Sequence, residues 1–353
     1  MEWTNELTKR LGIMFPIVQA PMFGVTTPEM VTAASSVNCL GSLSLGDLDA
    51  EQCITTIRNT RKLSNKPFAV NIFTHSIPPI TDTLRKKYQK TKVFLERISL
   101  QHDLDVIFPD IDELNISSYH QQIDAIISEG CKILSFTFGN LDSESIQRLK
   151  KHEVLLIGTC TSVKEAIILE KSGIDIICVQ GIEAGGHRGT FASTKIPQIG
   201  GLSLLAQVSD AVNTPLIYAG GIYNAKTLLA TKTLGADGFQ VGSLLIASKE
   251  SALKAFEKDR LKQIDEEDIV LTKSFSGRFA QGIKNLFIET LDSTEYILPY
   301  PYQNKLTGVL RKAAKMQENP NFASIWTGQS IHKFSEDSTG NILTELITAT
   351  ETF

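Results

Sequence analysis

The stretches GIDIICVQG (Gly173–Gly181) and GADGFQVGS (Gly235–Ser243) decide the fold class. Each holds a helix-ending glycine, an aspartate, a short apolar run and a glutamine at the end of that run. Short continuous apolar runs between turn signals read as strands buried on both faces, which means a parallel sheet with helical crossovers. Working outward, the same signature marks Pro16–Met22, Leu40–Leu45, Phe68–Phe73, Cys131–Phe138, Val154–Cys160, Ile174–Gln180, Pro215–Ala219 and Asp237–Val241. Helix signals separate most of them. Thr27-Pro28 reads as an N-cap followed by proline at the first helical position. Ser162 with Glu165 reads as a capping box on a helix closed by Gly173. Asn224 caps a helix that Gly235 ends, and a further helix is expected from about Leu244. Eight such units over about 235 residues are the count of an α/β protein of the (β/α)8 TIM barrel class.

Two stretches exceed a minimal barrel. Residues at about 76–125 form a long, charged, mostly helical insertion, and residues 251–330 read as a mainly helical addition on the substrate side of the barrel mouth. The barrel is expected within residues 1–250, with residues 331–353 as a tail or helix packed on it.

Composition narrows the function. The chain has 353 residues, with Lys+Arg at 35 against Asp+Glu at 39 and a net charge of −4. A binder of nucleic-acid backbones usually shows a basic field, and no long basic run exists here, so no nucleic-acid partner is expected. The five cysteines are odd in number and none is spaced C-x-x-C, which suits a reducing compartment without disulfides or a zinc site. No apolar run reaches the roughly 18 residues of a membrane span, and the first residues carry charge where a signal peptide needs an apolar stretch. A cytoplasmic location is expected, and a homodimer is left open.

Active sites of barrels form at the C-terminal ends of the strands. Glycines at Gly220-Gly221 and Gly242, after the last two strands, let backbone N–H groups approach a phosphate. Neither G-x-x-x-x-G-K-[ST] nor G-x-G-x-x-G is present, so a single phosphate, as in FMN, fits better than a dinucleotide. Asn71 and Gln180 bring amides to the mouth, and an amide both donates and accepts, as the edge of a flavin ring requires. His187, in the loop Ala184-Gly185-Gly186-His187, is the only histidine in a glycine-rich loop, and its ordinary pKa suits proton transfer near neutrality. Arg188 beside it would hold an anion or pair with a carboxylate. His75, His102, His120, His152 and His332 are assigned surface or structural roles. No metal-ligand spacing accompanies His187, so no metal is expected.

QAPMFGVTTPEMV (Gln19–Val31), FAVNIF (Phe68–Phe73), VQGIEAGGHRGTF (Val179–Phe191), YAGGI (Tyr218–Ile222) and GADGFQVGS together resemble the nitronate monooxygenase family, as do the later PYPYQN and IWTGQ. The resemblance runs over nearly the whole chain. It implies a barrel with tightly bound FMN and a smaller substrate domain. It also implies that the Met22 backbone faces the flavin ring and that Asn71 and Gln180 bind the cofactor. Gly185, Gly221, Gln240, Val241, Gly242 and Ser243 would bind it chiefly around the phosphate, Ser243 standing where Thr is common. His187 matches the family's active-site histidine. The implied reaction is oxidation of alkyl nitronates, such as propionate 3-nitronate, by O₂ to a carbonyl compound and nitrite, a detoxification. The alternative is a flavin-type enoyl-acyl-carrier-protein reductase using NADH, which shares an EAGGH loop. A non-catalytic FMN-binding protein is a third reading, and it leaves the histidine without a purpose.

Overall fold

The computed structural model describes residues 2–331 and 334–353, so the expectation for His332 lies outside the described residues. Eight strands form one parallel sheet: β1 (Ile17–Gln19), β2 (Gly41–Gly46), β3 (Phe68–Phe73), β4 (Ile133–Thr137), β5 (Leu155–Cys160), β6 (Ile176–Gln180), β8 (Leu216–Ala219) and β9 (Gly238–Val241). Its order is β1-β9-β8-β6-β5-β4-β3-β2. The seam between β1 and β2 closes through a parallel bridge, Val18 to Leu40, and through Ser42 N donating to the side chain of Gln19 at 3.1 Å. A sheet closed in this way is a (β/α)8 barrel.

The repeated aspartate has a definite job. Asp175 Oδ2 accepts from Leu156 N of the preceding barrel strand at 2.9 Å, and Asp237 Oδ2 accepts from Leu216 N at 2.8 Å. Each aspartate pins the start of its own strand to its neighbour, which is why the pattern recurs.

Strand alternation sorts the side chains into two layers. Val70, Ile72, Leu134, Phe136, Ile177, Val179, Tyr218, Phe239 and Val241 point out to the ring of helices. Ala69, Ile133, Ile157, Ile176, Cys178 and Ile217 fill the barrel interior, where Leu7 and Leu11 of helix Glu6–Leu11 plug the lower end. All five thiols are buried and unpaired.

The helix signals hold with two corrections. Thr27, Ser162 and Asn224 each accept from an N–H of the first turn. Glu165, however, does not return to Ser162 as a capping box requires. Its buried carboxylate accepts from Thr161 N at 2.7 Å, Thr161 Oγ1 at 2.9 Å, Phe191 N at 2.6 Å and Ala192 N at 2.8 Å, so it pins the loop after β6 instead. The helix expected from Leu244 is a single 3₁₀ turn, Ser243–Leu245. The outer-layer place beside helices Pro28–Ser36 and Ala225–Thr233 goes to the last helix, Thr339–Thr352.

The two additions form one body. Leu84, Tyr88 and Leu95 of helix Asp82–Gln101 share a core with Phe275, Phe287, Leu306 and Leu310. Helix Tyr119–Ser128, inside the stretch read as insertion, belongs to the barrel, because Ile123 and Ile126 pack in its outer layer. The later addition is also not all helix. Strands β10 (Ile269–Thr272) and β11 (Ala280–Ile283) pair antiparallel, and β11 continues onto β7 (Gly186–His187) of the glycine-rich loop.

Candidate active site

The inward positions of the barrel strands change character toward their C-terminal ends. Below they are apolar; above they are Asn71, Ser135, Thr137, Thr159, Gln180 and Gln240, and these line a cavity of about 670 Å³. That volume lies within the range of about 300–1,000 Å³ typical of small-molecule sites. Met22, Gly185, His187, Gly221, Gly242 and Ser243 also line it. Val241 does not. Alternation turns its side chain into the outer core, where it is fully buried.

His187 is delivered by the pairing of β7 with β11, Ala280 opposite His187. Its Nε2 lies 2.7 Å from Ser276 Oγ, and Ser276 Oγ also donates to Arg278 O at 3.0 Å. A hydroxyl has one hydrogen. Given to Arg278 O, it leaves Oγ to accept from Nε2–H, and the free lone pair of the ring falls on Nδ1. Burial, then the positive charges of Arg278 and Arg311, pushes the imidazole down to about 3, so the ring is neutral at pH 7.

Phe138 organises the wall around this histidine. It holds φ +80 at the end of β4, a strained backbone for a bulky residue. The ring stacks on Phe73 at 4.4 Å, meets His187 and Tyr300 edge-on at 5.5 Å each, and carries the Arg278 guanidinium at 4.3 Å. Sequence reading missed Phe138, Tyr300, Ser276 and Trp326, because nothing local marks a strained φ or a long-range stack. His75, assigned a structural role, packs edge-on to Tyr300 at 4.5 Å; burial lowers it to about 4.

Three sequence expectations are refined. Gln180 lines the cavity, but its amide also ties the loop, Nε2 donating to His187 O at 3.0 Å and Oε1 accepting from Gly189 N at 2.9 Å. Met22 lines the cavity with its backbone N–H already given to Thr26 Oγ1 at 2.9 Å. Among the described residues Arg188 pairs with no carboxylate. It is buried and donates to the carbonyls of Gln180 and Gly181, closing the loop on itself.

At the other end of the cavity lie the glycine ends of β8 and β9. Gly220 and Gly221 hold φ +138 and +65. The segment Thr327–Ser330 crosses here, with Gly328 N donating to Ser243 Oγ at 2.8 Å and Ser330 Oγ to Gly221 O at 3.2 Å. Thr327 Oγ1 is buried on the cavity wall without a hydrogen-bond partner among the described residues. This end offers small residues, hydroxyls and an orphaned polar atom, and these fit a bound phosphate group.

A sequence model of the nitronate monooxygenase family matches residues 4–349. The chain belongs to the nitronate monooxygenase family. A relative from Staphylococcus aureus (strain JH9), called probable nitronate monooxygenase, is 37% identical over 347 residues, covering 97% of this chain and 96% of the relative. The crystal structure of nitroalkane oxidase from Streptomyces ansochromogenes superposes with a TM-score of 0.88 at 30% identity, covering 99% of this chain and 98% of that one. FabK from Thermotoga maritima has a TM-score of 0.76 at 23% identity over 99% of this chain and 96% of its own, a likeness of fold. As a member of this family the chain is an oxidoreductase, and among the described residues no helix is long and apolar enough to cross a membrane.

Proposed function

We propose that the chain binds FMN and oxidises alkyl nitronates with O₂, releasing a carbonyl compound and nitrite, as a cytoplasmic detoxification. The observation that carries this reading is the charge of the cavity. Arg311, Lys312, Lys315 and Lys254 line it against Glu183 and Glu257, in a chain whose net charge is −4. A cleft of net positive charge raises the local concentration of anions, and a nitronate is an anion. When bound, FMN would supply the acceptor through which electrons pass from substrate to oxygen. Gly221, Gly242, Ser243 and Thr327 would hold its phosphate end. Asn71, Gln180 and Gln240 would meet the ring from the barrel mouth, with Met22 and Gly185 beside it. His187, neutral and oriented by Ser276, would hold the nitronate and exclude water together with Phe138 and Trp326. With a nitronate the α-proton is already gone, so no base is required of it. With a neutral nitroalkane Nδ1 would take that proton.

The test is anaerobic mixing of the yellow, FMN-loaded protein with NADH and, separately, with a nitronate. Loss of flavin absorbance on nitronate alone is expected. Bleaching by NADH alone would transfer the case to reduction of an enoyl thioester, and no bleaching by either would leave a binding protein.

A further inference from the structure

Arg278 carries a charge that the chemistry above does not use. It does not line the cavity, whereas Phe73, Phe138 and His187 do. Its guanidinium lies 4.3 Å over the ring of Phe138, and that ring stacks on Phe73 at 4.4 Å and meets His187 edge-on at 5.5 Å. One aromatic ring therefore separates the cation from the histidine.

The chain fixes it there. In the pairing of β11 with β7, Ala280 stands opposite His187, and Arg278 lies two residues before Ala280. Ser276 Oγ, which accepts from His187 Nε2, also donates to Arg278 O at 3.0 Å and accepts from Arg278 N at 3.2 Å. Between them Gly277 holds φ +82, and a Cβ there would lie 2.8 Å from Tyr300 N, so the turn is pressed against the backbone of another wall residue. Arg278 Nη2 donates to Thr190 O at 2.6 Å, an uncharged acceptor. No carboxylate is ion-paired with Arg278 among the described residues. Glu165, whose field reaches it, already accepts from Thr161, Phe191 and Ala192. Burial lowers the Arg278 pKa, yet a guanidinium stays protonated in a protein.

The charges facing His187 are thus of one sign, Arg278 from this turn and Arg311 from helix Tyr302–Met316. Tyr300, raised by burial, and His75, lowered by burial to about 4, are uncharged at pH 7. A nitroalkane and its nitronate differ by one proton and one negative charge, and Arg278 acts on both differences. Its field favours a bound anion. The same field withholds basicity from His187, which burial, Arg278 and Arg311 hold at about 3. A base that weak takes an α-proton slowly.

We propose that Arg278, held against Phe138 behind the cavity wall, makes the site select its substrate by charge state, favouring the nitronate anion over its conjugate acid, the neutral nitroalkane. This rests on the reading of the chain as a nitronate oxidase. Arg278 acts through Phe138 and His187 and is a positioning residue.

The experiment measures kcat/KM for freshly dissolved nitroethane and for ethyl nitronate on the wild type, Arg278→Gln and Arg278→Lys. Gln keeps a donor for Thr190 O without the charge, and Lys keeps the charge. In Arg278→Gln the nitronate value falls roughly tenfold, as for a unit charge about 10 Å away at an effective dielectric of about 20. The nitroethane value rises roughly three- to tenfold, because a more basic imidazole accepts the proton faster. Arg278→Lys stays closer to the wild type than to Arg278→Gln. The acid limb of the nitroethane profile moves up by about one pH unit or more in Arg278→Gln, since loss of a positive charge raises the imidazole. NMR of histidine-labelled protein, with His187→Asn identifying the signal, reads that shift without turnover. Equal losses on both substrates, or a His187 titration unmoved in Arg278→Gln, would overturn the proposal. Should Arg278→Gln fail to fold, the wild-type signal decides alone: a ring neutral down to about pH 5 upholds the proposal, and titration near the ordinary value of about 6.5 overturns it. Turnover of neither substrate, with the NMR shift intact, would instead defeat the nitronate reading and leave the action of Arg278 on His187 standing.

Discussion

Gly185→Ala is the substitution whose effect the structure defines best. A Cβ at Gly185 would lie 2.5 Å from Gly328 N, 2.5 Å from Thr327 C and 2.9 Å from Thr327 Cα, where ordinary contacts begin near 3.4 Å. All three are backbone atoms, so no rotamer change relieves the overlap. Either the glycine-rich loop or the segment Thr327–Ser330 must move by about 1 Å, and overpacking of this kind costs about 1–3 kcal/mol. Both segments line the proposed FMN site, and the second bonds Ser243 and Gly221. If the whole cost falls on the bound state, FMN affinity drops by about 5- to 150-fold, at 1.4 kcal/mol per tenfold. The assay is the quenching of flavin fluorescence on titration into protein stripped of flavin. Gly186→Ala is the control. A Cβ there meets nothing within 4 Å, and only its φ of +70 is strained, so a loss of about 1 kcal/mol or fivefold is expected. Equal FMN affinity of Gly185→Ala and the wild type would refute the idea that this contact shapes the site.

Further outcomes are expected. His187→Asn should lower turnover of a neutral nitroalkane, where the wild type shows any, by roughly 10²–10⁴-fold, and nitronate turnover much less, with FMN content unchanged; equal loss on both substrates would remove the base assignment. Glu165→Ala strips two buried and two partly buried donors of an acceptor and should lower unfolding free energy in urea by roughly 3 kcal/mol or more; a loss below about 1 kcal/mol would show that water replaces the carboxylate. The acid limb follows from His187 and His75, held at about 3 and about 4 against an ordinary 6.5. In that window the unfolded chain takes up protons that the native state does not, so stability is full above pH 6.5 and falls as pH drops toward 4. Urea midpoints of the ligand-free protein at pH 7.5 and 4.5 check this, and a slope that persists unchanged in His187→Asn would exclude the active-site histidine as its source.

The sequence by itself determined the barrel. Eight apolar runs with helix caps between them are legible because a strand buried on both faces must be apolar at every position, and local pattern records that demand. The paired aspartates Asp175 and Asp237 were legible as a repeat for the same reason, since each serves the strand beside it. The positions of Asn71, Gln180, His187 and the glycine ends at the mouth followed from where the strands stop. Tertiary structure alone decided the rest. Val241 faces the helices and not the cavity because the register of β9 sets the alternation, and one residue of shift reverses every side chain. Glu165 left its own cap for Phe191 and Ala192 because the chain folds that loop back over it. Helix Asp82–Gln101 joins Phe275 and Leu310 in a second core, a contact between segments nearly two hundred residues apart that no local pattern encodes. The ring of Phe138 carries no mark in the sequence. Its strained φ and its contacts with Phe73, His187, Tyr300 and Arg278 arise only when distant segments close over the same cavity.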